Sequence, residues 1–175
     1  FEVSNLKALR KLTQVRLVQL VDADDVDSKG NVTLVAPFDK PYDFAVAKDS
    51  RTFPDLLTPK GLAEVKTYAD GIGPWKPYLA SAAHVLGADG KPRDLNGDGK
   101  ITDHDRVALP PTDVVKNAHA AGLFVHPYTF LSEAPGLLSD YKGDAKAEYK
   151  RFFALGVDGL FSDFPDTAVS ARDSQ

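Results

Sequence analysis

Ala118-His119-Ala120-Ala121-Gly122-Leu123-Phe124-Val125-His126-Pro127-Tyr128-Thr129-Phe130 holds a helix end, a glycine stop and a strand in one unbroken run. Thr112 is read as the cap of the helical segment from Asp113 to Ala121. Gly122 ends that segment, because glycine enters left-handed backbone without a Cβ penalty. Leu123 to Phe130 then reads as a strand. The order recurs downstream: Ala145 to Leu155 has helical spacing, Gly156 stops it, and Val157-Asp158-Gly159-Leu160-Phe161-Ser162 reads as the next strand, ending at Asp163-Phe164-Pro165. Upstream, Val15-Arg16-Leu17-Val18-Gln19-Leu20-Val21 is β-branched and nearly all apolar, the pattern of a strand buried on both faces of a parallel sheet. Helix and strand in alternation predict an α/β fold with parallel strands. The count is three good strands, with a fourth expected ahead of Phe1, too few to close an eight-stranded barrel.

Between these units the pattern is less regular. Asn5 is read as capping a short helix from Leu6 to Leu12. Residues 22–57 are rich in aspartate, proline and glycine and read as an irregular insertion with a hairpin around Lys29-Gly30-Asn31. Thr58 and Pro59 start a helix that runs through Leu62, Val65 and Tyr68 toward Gly71. Gly73-Pro74 breaks it, and Trp75 to Leu86 reads as a further helix. The 175 residues are 43% hydrophobic, which suits one sizeable core. A formal charge of −4 with scattered lysines gives no basic face, so nucleic acid is not an expected partner. No apolar run approaches the ~20 residues of a membrane span. The absence of cysteine excludes disulfides, zinc thiolate sites and cysteine nucleophiles. A chain that starts Phe1-Glu2-Val3-Ser4 and holds no methionine reads as a piece of a longer product.

Asp94-Leu95-Asn96-Gly97-Asp98-Gly99-Lys100-Ile101-Thr102-Asp103-His104-Asp105 places oxygen donors at loop positions 1, 3, 5, 9 and 12 around a glycine at position 6. A hard divalent cation takes six to eight oxygens at about 2.3–2.6 Å, and this spacing converges Asp94, Asn96 and Asp98 from one side. Lys100 would give its carbonyl, Thr102 a direct or water-mediated contact, and Asp105 the closing carboxylate, with Ile101 turned inward as an anchor. An aspartate in the last slot makes the loop similar to dockerin calcium loops rather than to a sensor EF-hand. The expectation is a Ca2+ site at residues 94–105, inserted into a single domain spanning 1–175. A solvated acidic turn is the competing reading.

Phe1-Glu2, Val15 to Leu20, Ala118 to Leu123, Val125-His126-Pro127-Tyr128-Thr129 and Gly156 to Asp166 together resemble the C-terminal half of the glycerophosphodiester phosphodiesterases, especially their exported bacterial branch. The resemblance implies a (β/α)8 TIM barrel, of which the present strands would be roughly the fifth to the eighth, with chemistry at their C-terminal ends. It implies hydrolysis of glycerophosphodiesters to glycerol 3-phosphate and an alcohol, a periplasmic or secreted location, and an N-terminal half of the same protein as partner. The family's two catalytic histidines and its carboxylate-held divalent metal lie on early strands, including a His-Arg-Gly motif that this sequence lacks. None of His84, His104, His119 and His126 has that context, so no catalytic residue is assigned to these 175 residues, and alone they are expected to be inactive.

The same resemblance leaves candidates for the substrate pocket. Tyr128 stands where many relatives carry a tryptophan, either packing on glycerol carbons or serving as a core aromatic. His126, two residues earlier on the same strand face, is a hydrogen-bonding candidate or a satisfied barrel histidine. Gln19 sits in an apolar strand, where an unpartnered amide costs about 1–3 kcal/mol, and so reads as a pocket residue or a structural hydrogen bond. Phe161 could close the pocket wall, Asp163 could fix the following turn, and Glu2 matches a family acid without a resolved role. Trp75 with Lys76 offers a stacking plane and a cation for a phosphate, or simply a surface helix start. Leu131 stands where exported relatives often carry an arginine. The alternative to the enzyme is a non-catalytic, calcium-stabilised α/β binding module.

Overall fold

The computed structural model describes residues 1–174. Its elements, in chain order, are helix α1 (Val3–Arg10), strands β1 (Val18–Val21), β2 (Asp25–Val26) and β3 (Val32–Thr33), helices α2 (Tyr42–Val46) and α3 (Pro59–Val65), strands β4 (Gly71–Pro74), β5 (Ala82–His84) and β6 (Arg106–Ala108), helix α4 (Val114–Ala120), strand β7 (Phe124–Val125), and helices α5 (Ala145–Ala154) and α6 (Pro165–Arg172). A parallel sheet in the order β1-β4-β7 forms the centre. Two antiparallel pairs, β2 with β3 and β5 with β6, stand outside it.

Register decides which face each side chain takes, because partners across a parallel ladder share a face. Gln19 pairs with Ile72 and Ile72 with Val125, and all three are fully buried. This face carries the core, where Leu62 and Val65 of α3, Val115 and Ala118 of α4, and Tyr149 and Phe152 of α5 pack together. The opposite face holds Val18, Gly71 and Phe124 in one row and Leu20 with Gly73 in the next, its larger side chains only half-buried. The alternation of helices and parallel strands read from the sequence is therefore present.

Several elements differ from the sequence reading, each for a local reason. Helix α1 starts at Val3 with Glu2 at its N-cap; Asn5 lies inside the first turn and donates its side-chain amide to Glu2 instead of capping. Val3 is the residue α1 buries, while Leu9 and Leu12 are exposed. Strand β1 begins only at Val18, because the Leu17 N–H is taken by the Asp70 carboxylate at 2.9 Å; Val15 is exposed. Thr112 is not the N-cap of α4, a position held by Asp113; its hydroxyl donates to the Tyr78 carbonyl at 2.7 Å. Val157 to Ser162 runs beside β7 and its continuation: the Asp158 N–H donates to the Val125 carbonyl at 3.0 Å, the Phe161 N–H to the Pro127 carbonyl at 2.9 Å, and Phe130 and Ser162 form a parallel bridge.

The largest difference lies at 71–86. Gly71 to Pro74 is the central strand, and the expected helix from Trp75 to Leu86 is instead a short 3-10 turn at Lys76–Tyr78 followed by β5. A strand spelled Gly-Ile-Gly-Pro shows no β-branched run, yet its two glycines are what the packing requires. A Cβ on Gly71 would lie 2.3 Å from the Phe124 ring, and one on Gly73 would lie 2.6 Å from Leu20 Cδ2. Side chains from both flanking strands lean over β4 and occupy that space. The hairpin expected around Lys29-Gly30-Asn31 is present as β2 and β3, with Asp27 accepting the Lys29 and Asn31 N–H groups at 2.8 and 2.9 Å. Thr58 caps α3 by accepting the Gly61 N–H at 3.0 Å, as expected. Glycines 122 and 156 end α4 and α5 with φ of 76° and 90°.

Because overpacking of this kind costs about 1–3 kcal/mol, Gly71→Ala should lower the free energy of unfolding by that amount in urea titration. Gly71→Ala combined with Phe124→Ala should cost less than the two single changes summed; strict additivity would contradict the contact.

Candidate functional site

In parallel α/β sheets, ligands bind where the strands end and loops fan out, so the C-terminal edge of β1, β4 and β7 is the place to look. At β1 the chain leaves through Val21 and Asp22, at β4 through Trp75 and Lys76, and at β7 through Tyr128 and Thr129. Trp75 and Tyr128 bridge in parallel, and the Lys76 N–H donates to the Tyr128 carbonyl at 2.7 Å, which fixes the two exits side by side. The Tyr128 hydroxyl donates to the Val21 carbonyl at 3.1 Å and to Asp22 Oδ1 at 3.0 Å. Burial, reinforced by the negative charge of Asp22, holds that phenol protonated far above its usual range. Tyr128 is thus a hydrogen-bond donor that ties two strand ends together and also meets Phe1 edge-on, with ring centroids 6.4 Å apart.

His126 and Phe161 come together on the half-buried sheet face. Their rings are 6.4 Å apart in an edge contact, and His126 lies tilted on Phe124 at 4.6 Å. Burial pulls the His126 imidazole below its ordinary value and Asp158 only partly opposes this, which favours the neutral ring. Gln19 lies apart from both, on the helical face. Its amide donates to the Phe1 carbonyl at 2.7 Å and the Leu20 carbonyl at 2.9 Å, and its oxygen accepts from the Tyr68 hydroxyl at 3.0 Å, so every part of that side chain is committed. The other histidines make structural contacts: His84 Nδ1 meets the Asp105 carbonyl at 3.3 Å, His104 Nδ1 the Leu137 carbonyl at 3.1 Å, and His119 Nε2 the Asp158 carboxylate at 2.9 Å.

A cavity of about 260 Å³ opens beside the β4 and β7 exits. Trp75, Lys76 and Thr129 line it from the strand ends, Arg106 from β6, and Glu148, Arg151 and Phe152 from α5. Lys76 is therefore a cavity residue rather than a surface helix start. Its Nζ donates to Glu148 Oε1 at 2.7 Å and sits 5.2 Å from the centre of the Phe130 ring. Glu148 is only 3% exposed, and burial lifts its carboxyl above the ordinary value against the pull of Lys76. Glu148 was missed in the sequence, although a signal was present: Ala145, Glu148, Phe152 and Leu155 follow one another at three- and four-residue steps, so a charge stands within the apolar stripe of α5. Leu131, noted above for its missing arginine, lines the same cavity.

The loop at 94–105 is organised by its own carboxylates. Asp94 accepts the Gly97 and Gly99 N–H groups at 2.6 and 2.8 Å, Asp98 the Lys100 N–H at 2.8 Å, and the buried Asp105 those of Leu95 and Thr102 at 2.7 and 2.8 Å. These bonds, Thr102 first and Leu95 next, hold the Asp105 carboxyl below its ordinary value. Asn96 closes a turn onto the Asp98 N–H at 3.1 Å. Ile101 is 48% exposed and does not anchor the loop. Among the described residues no three acidic or imidazole side chains converge closely enough to share a metal ion. The donors have the all-oxygen chemistry a calcium ion takes, but in this geometry they face the loop amides. Among the described residues no helix is long and apolar enough to cross a membrane.

Residues 1–167 match the Glycerophosphoryl diester phosphodiesterase family. The chain is similar to the glycerophosphodiester phosphodiesterase GDPD6 of Arabidopsis thaliana, 32% identical over 116 residues that make up 66% of this chain and 26% of that protein. It is also similar to GDPDL1 of the same plant, 32% identical over 71% of this chain and 14% of that protein, and to a glycerophosphodiester phosphodiesterase of Haemophilus influenzae, 30% identical over 65% of this chain and 26% of that protein. The chain thus spans about a quarter or less of the length of these relatives.

Removing the cation that hydrogen-bonds a buried carboxylate is expensive, so Lys76→Met should destabilise the protein by about 3–5 kcal/mol. Lys76→Met with Glu148→Gln should recover much of that loss in chemical denaturation; no recovery would mean that the ion pair is not what the cavity depends on. The pH dependence has a fixed sign. A carboxyl lifted in the folded state contributes stability that is full below its unfolded value and fades as pH rises through its folded value. Lys76→Met raises that folded value further, so the variant's deficit should grow with rising pH, and Glu148→Gln should abolish the growth.

Proposed function

The chain belongs to the Glycerophosphoryl diester phosphodiesterase family, and on that footing we propose that it forms the C-terminal half of a (β/α)8 barrel that hydrolyses small glycerophosphodiesters to glycerol 3-phosphate and an alcohol. The observation that carries this reading is the family match across residues 1–167, together with a cavity and an aromatic cluster at the strand end where such barrels do their chemistry. In this reading the parallel sheet supplies part of the wall. The catalytic histidines and the ligands of the catalytic divalent metal come from residues outside these 175, and the half-exposed sheet face and open strand edges pack on that remainder of the protein. The metal supplies Lewis-acid stabilisation of the phosphodiester oxygens when bound.

The residues of this chain bind and orient. His126 presents a ring N–H to a substrate oxygen, and Phe161 with Tyr128 offers apolar surface to the glycerol carbons. Tyr128 also holds Asp22 at the rim, which fixes the spacing of two strand ends. Trp75 and Lys76 flank the same crevice. Water adds across one P–O bond, its hydroxyl going to phosphorus and its proton to the departing alcohol. An exported location, periplasmic or secreted, goes with the family resemblance. The loop at 94–105 binds Ca2+ through Asp94, Asn96, Asp98, the Lys100 carbonyl, Thr102 and Asp105 once these donors turn from the loop amides to the ion, and it stabilises the fold without entering the chemistry.

Intact mass and glycerophosphocholine hydrolysis, measured on one sample of the protein that carries this chain, test the proposal. A mass near 30–40 kDa, about the size of a complete barrel with insertions, with glycerol 3-phosphate as product is the expected result. A folded protein of that size that releases none would favour the binding-module alternative. For the loop, calcium should raise the melting temperature and EDTA should lower it; an unchanged value in both would remove the calcium site.

A further inference from the structure

The cavity beside Trp75 has an unequal set of hydrogen-bonding partners. Its cations are already committed. Arg106 donates to the carbonyls of Asp27 and Val26 at 2.9 Å and pairs with Asp103 at 3.2 Å. Arg151 donates to the Leu109 carbonyl at 2.5 Å and the Tyr141 hydroxyl at 3.1 Å. Lys76 is held by Glu148 Oε1 and the Phe130 ring. The acceptor side is not matched in the same way: Glu148 Oε2 is buried and finds no hydrogen-bond partner among the described residues. A buried carboxylate oxygen left without a donor is costly, so the cavity favours a guest that brings one. Its titratable lining is balanced in sign, with Lys76, Arg106 and Arg151 against Asp25, Asp103 and Glu148. Such a lining gives an anion no net attraction, and the unshared carboxylate oxygen favours a group that donates N–H.

We propose that this cavity is a head-group subsite that takes the primary ammonium of a zwitterionic glycerophosphodiester, the N–H groups donating to Glu148 Oε2 while Trp75 and Phe152 cover the adjoining carbons. The proposal rests on the hydrolase reading above and narrows its substrate class. A phosphoethanolamine-type diester carries a phosphate and an ammonium, net zero, with three N–H donors. A phosphocholine-type diester has the same net charge but no N–H, and its three methyl groups leave Oε2 without a partner. Trp75 and Thr129 belong to both the strand exits and the cavity wall, so a diester whose phosphate lies at the exits has its head group within reach of the cavity.

The test compares kcat/KM for glycerophosphoethanolamine and glycerophosphocholine in the protein that carries this chain, with calorimetric titrations of ethanolamine and choline alongside. One charge-assisted hydrogen bond gained in a buried site predicts a preference of about tenfold or more for the ethanolamine diester. Glu148→Gln should bring that ratio to about one. A wild-type ratio near one, or a preference kept unchanged in a folded Glu148→Gln protein, would overturn the subsite. Should Glu148→Gln fail to fold, the wild-type ratio and the two titrations decide. Should neither diester be hydrolysed, the hydrolase reading falls and the titrations still judge the cavity: ethanolamine binding without choline binding upholds it, and equal or absent binding removes it.

Discussion

Two glycines in the central strand set the geometry on which the rest of the molecule depends. Phe124 and Leu20 lean over β4 from either side and occupy the space that side chains at 71 and 73 would need. Three strands can therefore lie in parallel register while their other face, Gln19, Ile72 and Val125, is closed by the helices. Close packing of this kind tolerates little volume change. It also fixes where the chain leaves the sheet: with β4 held between β1 and β7, Trp75 and Lys76 emerge next to Tyr128 and Thr129, and the placement of the cavity is a consequence of that core.

A second constraint links this edge to the helical layer. Lys76 leaves the sheet and meets Glu148 inside α5, a polar contact at the margin of an apolar core. Burying a charge pair seldom stabilises a fold relative to a well-packed apolar pair of similar volume. Leu or Met at both positions would be the simpler structural solution, which makes the charged pair and its unshared oxygen a feature to be explained by what the cavity holds. The loop at 94–105 is braced by its own carboxylates and reaches the cavity through Asp103, which pairs with Arg106.

The parts of the fold that were legible in the sequence are those with local punctuation. Gly122 and Gly156, the Thr58-Pro59 start and the hairpin around Lys29-Gly30-Asn31 each carry their reason in neighbouring residues, and each stands where it was read. The central strand was not legible, because its identity depends on Phe124 and Leu20, side chains distant in sequence that fill the room above the glycines. The helix expected after Trp75 failed for a related reason: Pro77 and the ladder between β5 and β6 outweigh a weak apolar periodicity. At the site, Tyr128, His126 and Phe161 stand near the strand ends as their alternation implied, whereas Gln19 turned to the helices because register with Ile72 gave it that face. Glu148 was readable as a charge on an apolar stripe, but its partner Lys76 lies across the fold.

The most direct test of the account is a crystal structure of the protein that carries this chain, bound to a non-hydrolysable phosphonate analogue of glycerophosphoethanolamine. The phosphonate should lie at the β4 and β7 exits beside Tyr128 and Thr129, with the ammonium against Glu148 Oε2. Density for the analogue elsewhere, with the cavity holding only solvent, would contradict it.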